Sequence, residues 1–349
     1  MNLDSLGWNS RRDNLFERYR SRSLIAARVV ADGRDPVTVA SEEHQFSAVA
    51  AGRLDDGGEP GPPVIGDWVA VDLTCGTPVI RAVLPRSGVL ARRRPGAAER
   101  IQVVAANVDT VLLVDGLDRG PNRRRIERGV ALAYNSGATP VIVLTKADLC
   151  PDVVAAEEEA KRAAPFADVL TVSAVDGSGV DALAAMLETG TTAVLFGPSG
   201  AGKSTLINSL LGEDRLETRG VREGDHKGRH TTTRRQLVTL AGGACLIDTP
   251  GIRELGLWLD AEAVDSAYAD LEEIAAECRF RDCRHENEPG CAVRAAVRDG
   301  RLEQGRLDGY LRLRREAEAH ELRRATHQIR ASERRFSKMV RDMKRIKGS

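Results

Sequence analysis

Gly197-Pro-Ser-Gly-Ala-Gly-Lys-Ser-Thr205 is the stretch of sequence that decides the fold. It has the G-x-x-x-x-G-K-[ST] spacing of a phosphate-binding loop. An apolar run at residues 193–196 precedes it, and a helical apolar run at residues 206–211 follows it. Strand, loop and helix in this order begin an α/β nucleotide-binding unit, whereas a glycine-rich turn without a ligand is the alternative. The sequence therefore predicts a phosphate site here.

This loop supplies the groups that a nucleoside triphosphate and its magnesium ion need. Its glycines allow backbone N–H groups to turn toward the β-phosphate, and Lys203 is expected between the β- and γ-phosphates. The Ser204 hydroxyl is placed to ligate Mg²⁺. The nucleotide-binding residues predicted here are Gly197, Pro198, Ser199, Gly200, Ala201, Gly202, Lys203, Ser204 and Thr205.

A second phosphate element, Asp248-Thr-Pro-Gly251, follows the apolar run at residues 244–247. Asp248 is expected to hold the magnesium ion through a water molecule. The backbone N–H of Gly251 is then available to the γ-phosphate. On its own this tetrapeptide is weak evidence, but after a phosphate-binding loop it indicates a nucleotide switch.

The polar segment Gly228-Arg-His-Thr-Thr-Thr233 lies between these two elements and is suited to a switch loop. Thr232 is the predicted magnesium ligand of this segment, with Thr231 as the alternative. The residue after Gly251 is Ile252, which cannot orient the attacking water as a glutamine does in many GTPases. His230 is therefore the candidate for that catalytic role, beside Lys203 and Thr232. A histidine of an exposed loop, or one that contacts RNA phosphates, is an equal alternative.

Two further segments decide which base is bound. Thr145-Lys-Ala-Asp148 ends the apolar run at residues 140–144, and Ser173-Ala174 follows the next apolar run. A carboxylate at Asp148 can accept hydrogen bonds from N1–H and the exocyclic amine of guanine, a pair that adenine lacks, while the stem of Lys146 packs on the ring. A P-loop kinase or ATPase is the alternative, and it leaves both segments unexplained. The predicted guanine-binding residues are Thr145, Lys146, Asp148, Ser173 and Ala174.

The order of these segments along the chain is unusual. The base segments come first and the phosphate loop, the switch segment and Asp248 follow, whereas ordinary GTPases begin with the phosphate loop. This order predicts a circularly permuted GTPase. Permutation is tolerated because the same strands can pair in space while the chain termini move to another surface loop.

Hydrophobic patterning predicts a multidomain α/β protein. After a tail at residues 1–22, short apolar runs separated by turn-rich segments predict an RNA-binding β-barrel of OB type at residues 23–95, although an SH3-like barrel fits nearly as well. Residues 96–258 alternate strands with helices and predict the permuted GTPase domain with parallel strands. Residues 259–349 are predicted to be helical and basic toward the end.

Three of the six cysteines and one histidine crowd into a short segment of this last region. The ligands predicted there are Cys278, Cys283, His285 and Cys291, in the spacing C-x4-C-x-H-x5-C. Three thiolates and one imidazole complete a closed tetrahedral site, so one structural Zn²⁺ is predicted, whereas buried free thiols are the alternative.

Composition limits the classes of partner. Lysine plus arginine equals aspartate plus glutamate at 51 each, so an RNA surface must come from local charge, as at residues 92–94 and 312–347. No apolar run approaches the ~18 residues of a membrane span, and the first residues do not form a signal peptide. We therefore expect a cytoplasmic protein without membrane contact, and a monomer.

With the segments GPSGAGKST, GRHTTT, DTPG and TKAD, the cysteine cluster, and GDWVAVD at residues 66–72, the chain resembles the YjeQ (RsgA) family of GTPases that depend on the small ribosomal subunit. The resemblance spans nearly the whole chain. It implies binding to the 30S subunit and its 16S rRNA late in maturation, hydrolysis of GTP to GDP and phosphate stimulated by that subunit, and coupled release of factors. It also favours His230 as the residue that positions water. An RNA-binding assembly factor that uses GTP only as a structural ligand is the alternative outside enzymes.

Overall fold

The computed structural model describes residues 2–20, 24–31, 36–55, 61–74, 76–93, 101–212, 235–248 and 259–323. The chain divides into two compact units. One unit comprises Met1–Ala91 with Val103–Leu255, and the other comprises Arg92–Gln102 with Gly256–Ser349. Each unit is described by itself below.

The N-terminal part of the first unit contains a closed β-barrel. A 3-10 helix at Leu3–Leu6 and the helix α1 (Ser10–Arg20) precede it. The barrel elements are β1 (Ile25–Ala31), β2 (Val37–Ala40), β3 (Gln45–Ala50), the short helix α2 (Gly52–Asp55), β4 (Trp68–Asp72) and β5 (Val79–Val83). The strands pair in the order β1-β2-β3-β5-β4, and β4 pairs back with β1, which closes the barrel. The predicted OB-type barrel, a five-stranded Greek-key arrangement, is confirmed.

Alternating residues of these strands fill the interior of the barrel. Small and β-branched side chains dominate, which suits the narrow space inside a five-stranded barrel. The buried residues of this core are Ala27, Val29, Val37, Val39, Ala48, Val69, Val71, Ile80 and Val83. Strand β2 has a weak sequence signal, because its short sequence Val-Thr-Val-Ala lies between polar segments.

A short two-stranded sheet and a larger α/β sheet follow the barrel along the chain. The two-stranded sheet pairs β6 (Val89–Arg93) with β7 (Ile101–Ala106). The elements after it are β8 (Thr110–Gly116), α3 (Arg123–Asn135), β9 (Thr139–Thr145), α4 (Val153–Ala163), β10 (Asp168–Thr171), α5 (Val180–Met186), β11 (Thr192–Phe196), α6 (Lys203–Leu211), β12 (Gln236–Thr239) and β13 (Cys245–Asp248).

The strands β10, β9, β8, β11 and β13 lie side by side in this order and run parallel, as the sequence predicted. Strand β12 was not predicted from the sequence, and it pairs antiparallel with β13, with Leu237 opposite Ile247. Only the five residues 240–244 separate β12 from β13. A connection this short can form a hairpin, but it cannot cross over to a parallel strand.

The helices α5 and α6 cover one face of this sheet and close a continuous hydrophobic core. Apolar side chains from the centres of the strands pack against the buried faces of the helices. Its fully buried members are Leu112, Val143, Val172, Leu183, Ala193, Leu206, Ile207 and Leu246. This core anchors the start of α6, which directly follows the predicted phosphate loop.

The barrel and the α/β sheet are joined by backbone pairing. Strand β12 pairs antiparallel with β1 of the barrel, with Gln236 opposite Ala31. Within the described residues, one sheet of eleven strands therefore runs from β10 through β12 and β1 to the barrel strands. Gln236 also faces Asp248 on its other side, so a single residue lies between the barrel and the end of β13.

Arg28 lies at the centre of this junction and is fully buried. Its guanidinium donates to the backbone carbonyls of Leu6 and Gly66 and, at 2.7 Å, to Oγ1 of Thr192, the first residue of β11. It also lies over the ring of Trp68, 5.2 Å from the centroid. Burial lowers the pKa of Arg28 to about 10, so the side chain stays charged at neutral pH.

The residues predicted as a tail contribute to the same junction. Trp8 packs edge-on against Trp68 with the ring centroids 4.9 Å apart, and Phe16 of α1 is buried next to Trp8. The Sγ of Cys245, at the start of β13, lies 3.6 Å from the carbonyl of Ser5. The N-terminal segment therefore covers the starts of the strands whose far ends carry the predicted site.

Residues 259–323 of the second unit form helices joined by loops. Its helices are α7 (Ala261–Ala267), α8 (Ala269–Ala275), α9 (Ala292–Arg298) and α10 at residues 304–323. Arg306 of α10 is buried and connects this helix to α8. Its guanidinium lies 3.8 Å from the centroid of the Tyr268 ring and pairs with Asp270 at 2.7 Å. The predicted helical C-terminal region is confirmed, and the described helices include none with the length and apolar character of a membrane span.

We predict that Arg28→Ala strongly destabilises the first unit. The substitution leaves the Leu6 carbonyl and the Thr192 hydroxyl without their buried donor. It also removes one of two donors to the Gly66 carbonyl, which keeps its bond from Asn107. The loss costs about 2–4 kcal/mol for a buried network. The measurement is the thermal unfolding midpoint of the full chain. Arg81→Ala is the control, since Arg81 pairs with Asp72 on the barrel surface and such pairs contribute under about 1 kcal/mol. Equal midpoints for the two variants would show that Arg28 is not central to the junction.

Candidate nucleotide and metal sites

The segments predicted to bind the nucleotide meet at one edge of the α/β sheet. The parallel strands β9, β8, β11 and β13 end at the same edge. Thr145 ends β9, the phosphate loop follows Phe196 at the end of β11, and Asp248 ends β13. Ligands of open α/β sheets bind at the carboxyl ends of parallel strands, so the topology brings the predicted base and phosphate segments together.

The phosphate loop lies directly against the neighbouring strand β8. A Cβ atom on Gly197 would stand 2.1 Å from the carbonyl oxygen of Val114, so a side chain there would push the loop away from the sheet. The helix α6 begins at Lys203, and its residues Leu206 and Ile207 are fully buried in the core. The loop is therefore fixed at both ends, with the N–H groups of the first turn of α6 available to an anion.

Lys203 lies across this loop. Its ammonium group donates to the backbone carbonyls of Gly197 and Pro198, both at 2.7 Å. Burial raises the pKa of Asp248, and the positive charge of Lys203 opposes that shift. The lysine charge therefore acts both on the loop and on the carboxylate predicted to hold magnesium.

The other predicted residues of the loop differ in exposure. Ala201 is buried, whereas Ser204 and Thr205 in the first turn of α6 are half-buried and Ser199 and Gly200 are exposed. Ser204 follows Lys203 in the first turn of α6, which is where a phosphate loop places the hydroxyl that ligates magnesium.

Thr145 connects the base segment to the phosphate loop. Its hydroxyl donates to the carbonyl of Ala201 at 2.6 Å, and it lies 3.4 Å from the carbonyl of Asp115 in β8. The Thr145 side chain is buried, so this bond is shielded from water. The position of the base segment is therefore coupled to the position of the phosphate loop.

The two predicted base loops contact each other. The Ser173 hydroxyl donates to the Asp148 carboxylate at 2.7 Å, and the backbone N–H of Ala147 donates to the carbonyl of Val172. Ser173 is fully buried and Ala174 is half-buried, whereas Asp148 is exposed. This arrangement orients an exposed carboxylate whose second oxygen is available to a base.

Lys146 has a partner that the sequence analysis did not identify. Its ammonium group pairs with Asp118 at 2.9 Å, and its backbone is left-handed with a φ of 59°. Asp118 lies just after β8, in the 3-10 helix Leu117–Arg119. A polar residue that follows a buried parallel strand was the available signal, because such positions line the carboxyl edge of the sheet.

Four predicted residues lie outside the described part of the chain. His230 and Thr232, together with the alternative Thr231, fall within residues 213–234, and Gly251 falls within residues 249–258. The predicted roles of these residues in water positioning, magnesium binding and γ-phosphate contact remain predictions.

The second unit brings the four predicted metal ligands together. The ligand atoms of Cys278, Cys283, His285 and Cys291 all lie within 4.8 Å of one another. Nδ1 of His285 is 3.7 Å from Sγ of Cys278 and 3.5 Å from Sγ of Cys291. Zinc at about 2.3 Å from sulfur and about 2.0 Å from nitrogen in a tetrahedron requires separations of about 3.6 Å, so the donor set fits a tetrahedral cation.

The surroundings of the cluster also suit a cation. Burial lowers the pKa of His285, which favours the neutral imidazole that binds metals. Burial and the neighbouring thiols raise the pKa of Cys283 to about 12, so the thiols need a cation to ionise together. The backbone N–H groups of Ala292 and Arg294 point at Sγ of Cys278 and Cys291, at 3.3 and 3.5 Å, and stabilise negative charge there.

Comparison with known proteins places the chain among GTPases. A family model described as RsgA GTPase matches residues 83–258. A protein of Opitutus terrae named small ribosomal subunit biogenesis GTPase RsgA is 46% identical, with 100% of this chain and 99% of that protein covered. A protein of the same name from Streptomyces coelicolor is 44% identical, with 90% of this chain and 86% of that protein covered.

Two solved structures are similar in fold. YjeQ from Thermotoga maritima matches with a TM-score of 0.65 and 25% identity, over 84% of this chain and 98% of that one. YloQ, described as a circularly permuted GTPase, matches with a TM-score of 0.60 and 22% identity, over 85% of this chain and 96% of that one. The predicted permuted fold is confirmed.

We predict that the full chain binds one metal ion per molecule and that Cys278→Ser abolishes this binding. The substitution removes one of four ligands of a closed site, which lowers metal affinity steeply. Metal content after gel filtration against a weak chelator is the measurement. Cys150→Ser is the matched control, because Cys150 follows the base segment and lies outside the cluster. Retention of a stoichiometric ion by the Cys278 variant would contradict the assignment.

Proposed function

The chain belongs to the RsgA GTPase family, and from that premise we propose that it hydrolyses GTP as a maturation factor of the small ribosomal subunit. One observation carries the proposal. The base segments and the phosphate loop meet at one sheet edge, where Thr145 bonds to Ala201 and Ser173 orients Asp148. The names of the relatives from Opitutus terrae and Streptomyces coelicolor support the link to the ribosomal subunit.

Guanine is the base that this edge accommodates. The exposed Asp148 carboxylate accepts N1–H and the exocyclic amine, and the stem of Lys146 packs on the ring while Asp118 holds its ammonium group. Ser173 and Ala174 form the loop on the other side of the base. Adenine offers Asp148 no such pair of donors, so an ATPase or P-loop kinase is disfavoured.

Hydrolysis proceeds by in-line attack of water on the γ-phosphate, which yields GDP and phosphate. Ser204, Thr232 and Asp248 would hold the magnesium ion that accompanies GTP, and that ion would supply positive charge to the oxygens of the β- and γ-phosphates. Lys203 leaves the carbonyls of Gly197 and Pro198 and moves its charge to the same oxygens. His230 positions the attacking water, and the N–H of Gly251 contacts the γ-phosphate.

The partner is the 30S subunit, late in its maturation. Its 16S rRNA offers phosphates to the basic groups of the barrel at residues 23–95 and of residues 259–349. The subunit stimulates hydrolysis by the GTPase domain at residues 96–258. Hydrolysis is coupled to release of factors from the subunit. The protein acts in the cytoplasm as a monomer.

The metal ion of the second unit is a structural zinc ion. Three thiolates and one imidazole are soft and intermediate ligands, and this donor set in a tetrahedron selects zinc over magnesium or calcium. The four protein ligands leave no coordination position for a substrate, so the ion contributes folding energy and takes no part in hydrolysis.

We expect slow GTP hydrolysis by the purified chain and a large, specific stimulation by 30S subunits. Phosphate release is measured with and without 30S subunits, with 50S subunits and ATP as controls and Lys203→Ala as the inactive variant. Equal rates with and without 30S would refute the partner and leave an isolated GTPase. A Thr232→Ala variant that still binds GTP and is still released from 30S, without turnover, would favour GTP as a structural ligand.

We expect Asp148→Asn to exchange the base preference from guanine to xanthine. The amide offers a donor to the carbonyl that replaces the exocyclic amine in xanthine, whereas it cannot accept both guanine donors. Loss of charge-assisted hydrogen bonds predicts about 100-fold weaker GTP binding, with tighter binding of xanthosine triphosphate. Equilibrium binding of fluorescent nucleotides measures this. Asp152→Asn is the control, because Asp152 only caps α4; unchanged GTP affinity in the Asp148 variant would place the base elsewhere.

A further inference from the structure

The metal cluster carries an exposed aromatic ring. Phe280 lies between the ligands Cys278 and Cys283 and exposes 41% of its surface. The backbone around it is held in place, since the N–H of Arg279 donates to the carbonyl of Gly290 and the N–H of Cys283 donates to the carbonyl of Phe280. A large apolar side chain is thus held at the surface by a rigid loop, where it contributes nothing to a core.

Three arginines of the same loop are exposed to solvent. They are Arg279, Arg281 and Arg284. The guanidinium of Arg279 lies over the ring, 5.4 Å from its centroid, and the side chain rests on Gly290. In the part of the chain that the structure describes, none of the three forms an ion pair.

The nearby acidic side chains are mostly engaged elsewhere. Glu286 pairs with Arg315 at 2.6 Å. The Glu288 carboxylate accepts the backbone N–H groups of Arg284, Glu286 and Asn287, each at 3.0 Å. Asp282 is the remaining exposed acid of the loop. The loop between Cys278 and Cys291 therefore carries three exposed arginines and one exposed aspartate, and Arg279 lies at the Phe280 ring.

We infer that Arg279, Phe280, Arg281 and Arg284, here named the Phe280 surface, bind single-stranded RNA. An unpaired base stacks on the Phe280 ring, and the guanidinium groups contact the phosphates on either side of that base. The inference rests on the proposed function, because it assigns one contact through which the chain reads the RNA of its ribosomal partner.

The combination of groups favours RNA over a protein partner. An exposed aromatic ring among unpaired arginines provides stacking and phosphate contacts together, the two interactions that bind single strands without sequence readout. A protein partner would need a matched acidic and apolar patch, whereas any RNA single strand carries both phosphates and bases that can stack. Duplex RNA keeps its bases stacked inside the helix, so only an unpaired or splayed base reaches Phe280.

The test compares RNA binding by metal-loaded full-length variants in fluorescence anisotropy, with a labelled single-stranded oligoribonucleotide and its duplex as probes. Phe280→Ala is expected to weaken single-strand binding at least fivefold, consistent with the loss of one stacked base. Phe280→Trp is expected to restore it. Phe166→Ala is the matched control, since Phe166 is an exposed phenylalanine of the first unit. Metal content is measured for each variant to verify that the cluster is intact.

Salt dependence separates stacking from charge. Replacing Arg281 or Arg284 by glutamine is expected to reduce the slope of log affinity against log salt by about 0.7 per lost phosphate contact, whereas Phe280→Ala leaves the slope unchanged. Single-strand affinity that does not respond to Phe280→Ala, or that falls equally with Phe166→Ala, overturns the inference. A Phe280 variant that binds the oligonucleotide normally but 30S subunits weakly also overturns it, in favour of a ribosomal protein.

These outcomes are distinct from failure of the proposed function. Absence of 30S-stimulated hydrolysis in the unmodified chain counts against the ribosomal role and leaves the oligonucleotide result standing. Normal stimulation together with unaltered RNA binding in the Phe280 variants counts against the Phe280 surface alone.

Discussion

The pairing of β12 with strands on both of its sides is the constraint on which the first unit depends. An unpaired strand edge leaves backbone groups without partners, and β12 avoids this by pairing with β13 on one side and with β1 of the barrel on the other. The barrel and the GTPase sheet thereby become one sheet. Arg28 adds a buried charge at the same junction, where its guanidinium bonds to the start of β11. Any movement of β1 must therefore be accommodated by the strands that carry the nucleotide segments.

The nucleotide edge itself is assembled from short polar contacts between adjacent loops. Thr145 joins the base segment to the phosphate loop, and Ser173 joins the two base loops. Both hydroxyl groups belong to buried residues, and the bond between Thr145 and Ala201 is shielded from water, so the two bonds hold the loops in a fixed relation. The circular permutation leaves this arrangement intact, because hydrogen bonds between strands depend on spatial neighbours and not on chain order. It places the segment after Asp248 directly before the second unit along the chain.

The sequence predicted the elements that carry a strong local signal. The phosphate loop, the parallel strands and the spacing of the four metal ligands each follow from short patterns, and the structure brings those ligands within 4.8 Å of one another. Strand β12 gave a weak signal, since Gln-Leu-Val-Thr is too short for its alternation to be distinguished from a loop. The role of Arg28 depends on contacts with residues far along the chain, which no local pattern contains. Asp118 was overlooked for the same reason, although its place after a parallel strand was visible.

Arg28 is bound mainly by main-chain atoms, and this has a consequence for how the sequence can diverge. Its partners at Leu6 and Gly66 are carbonyl oxygens, which every amino acid possesses. Position 6 can therefore change its side chain during evolution without loss of the bond, provided that the new residue fills the same buried space. Position 66 is restricted for a different reason, because a Cβ atom there would stand 2.1 Å from the carbonyl oxygen of Ala106. We therefore expect related sequences to retain the arginine at position 28 while the amino acid at position 6 varies.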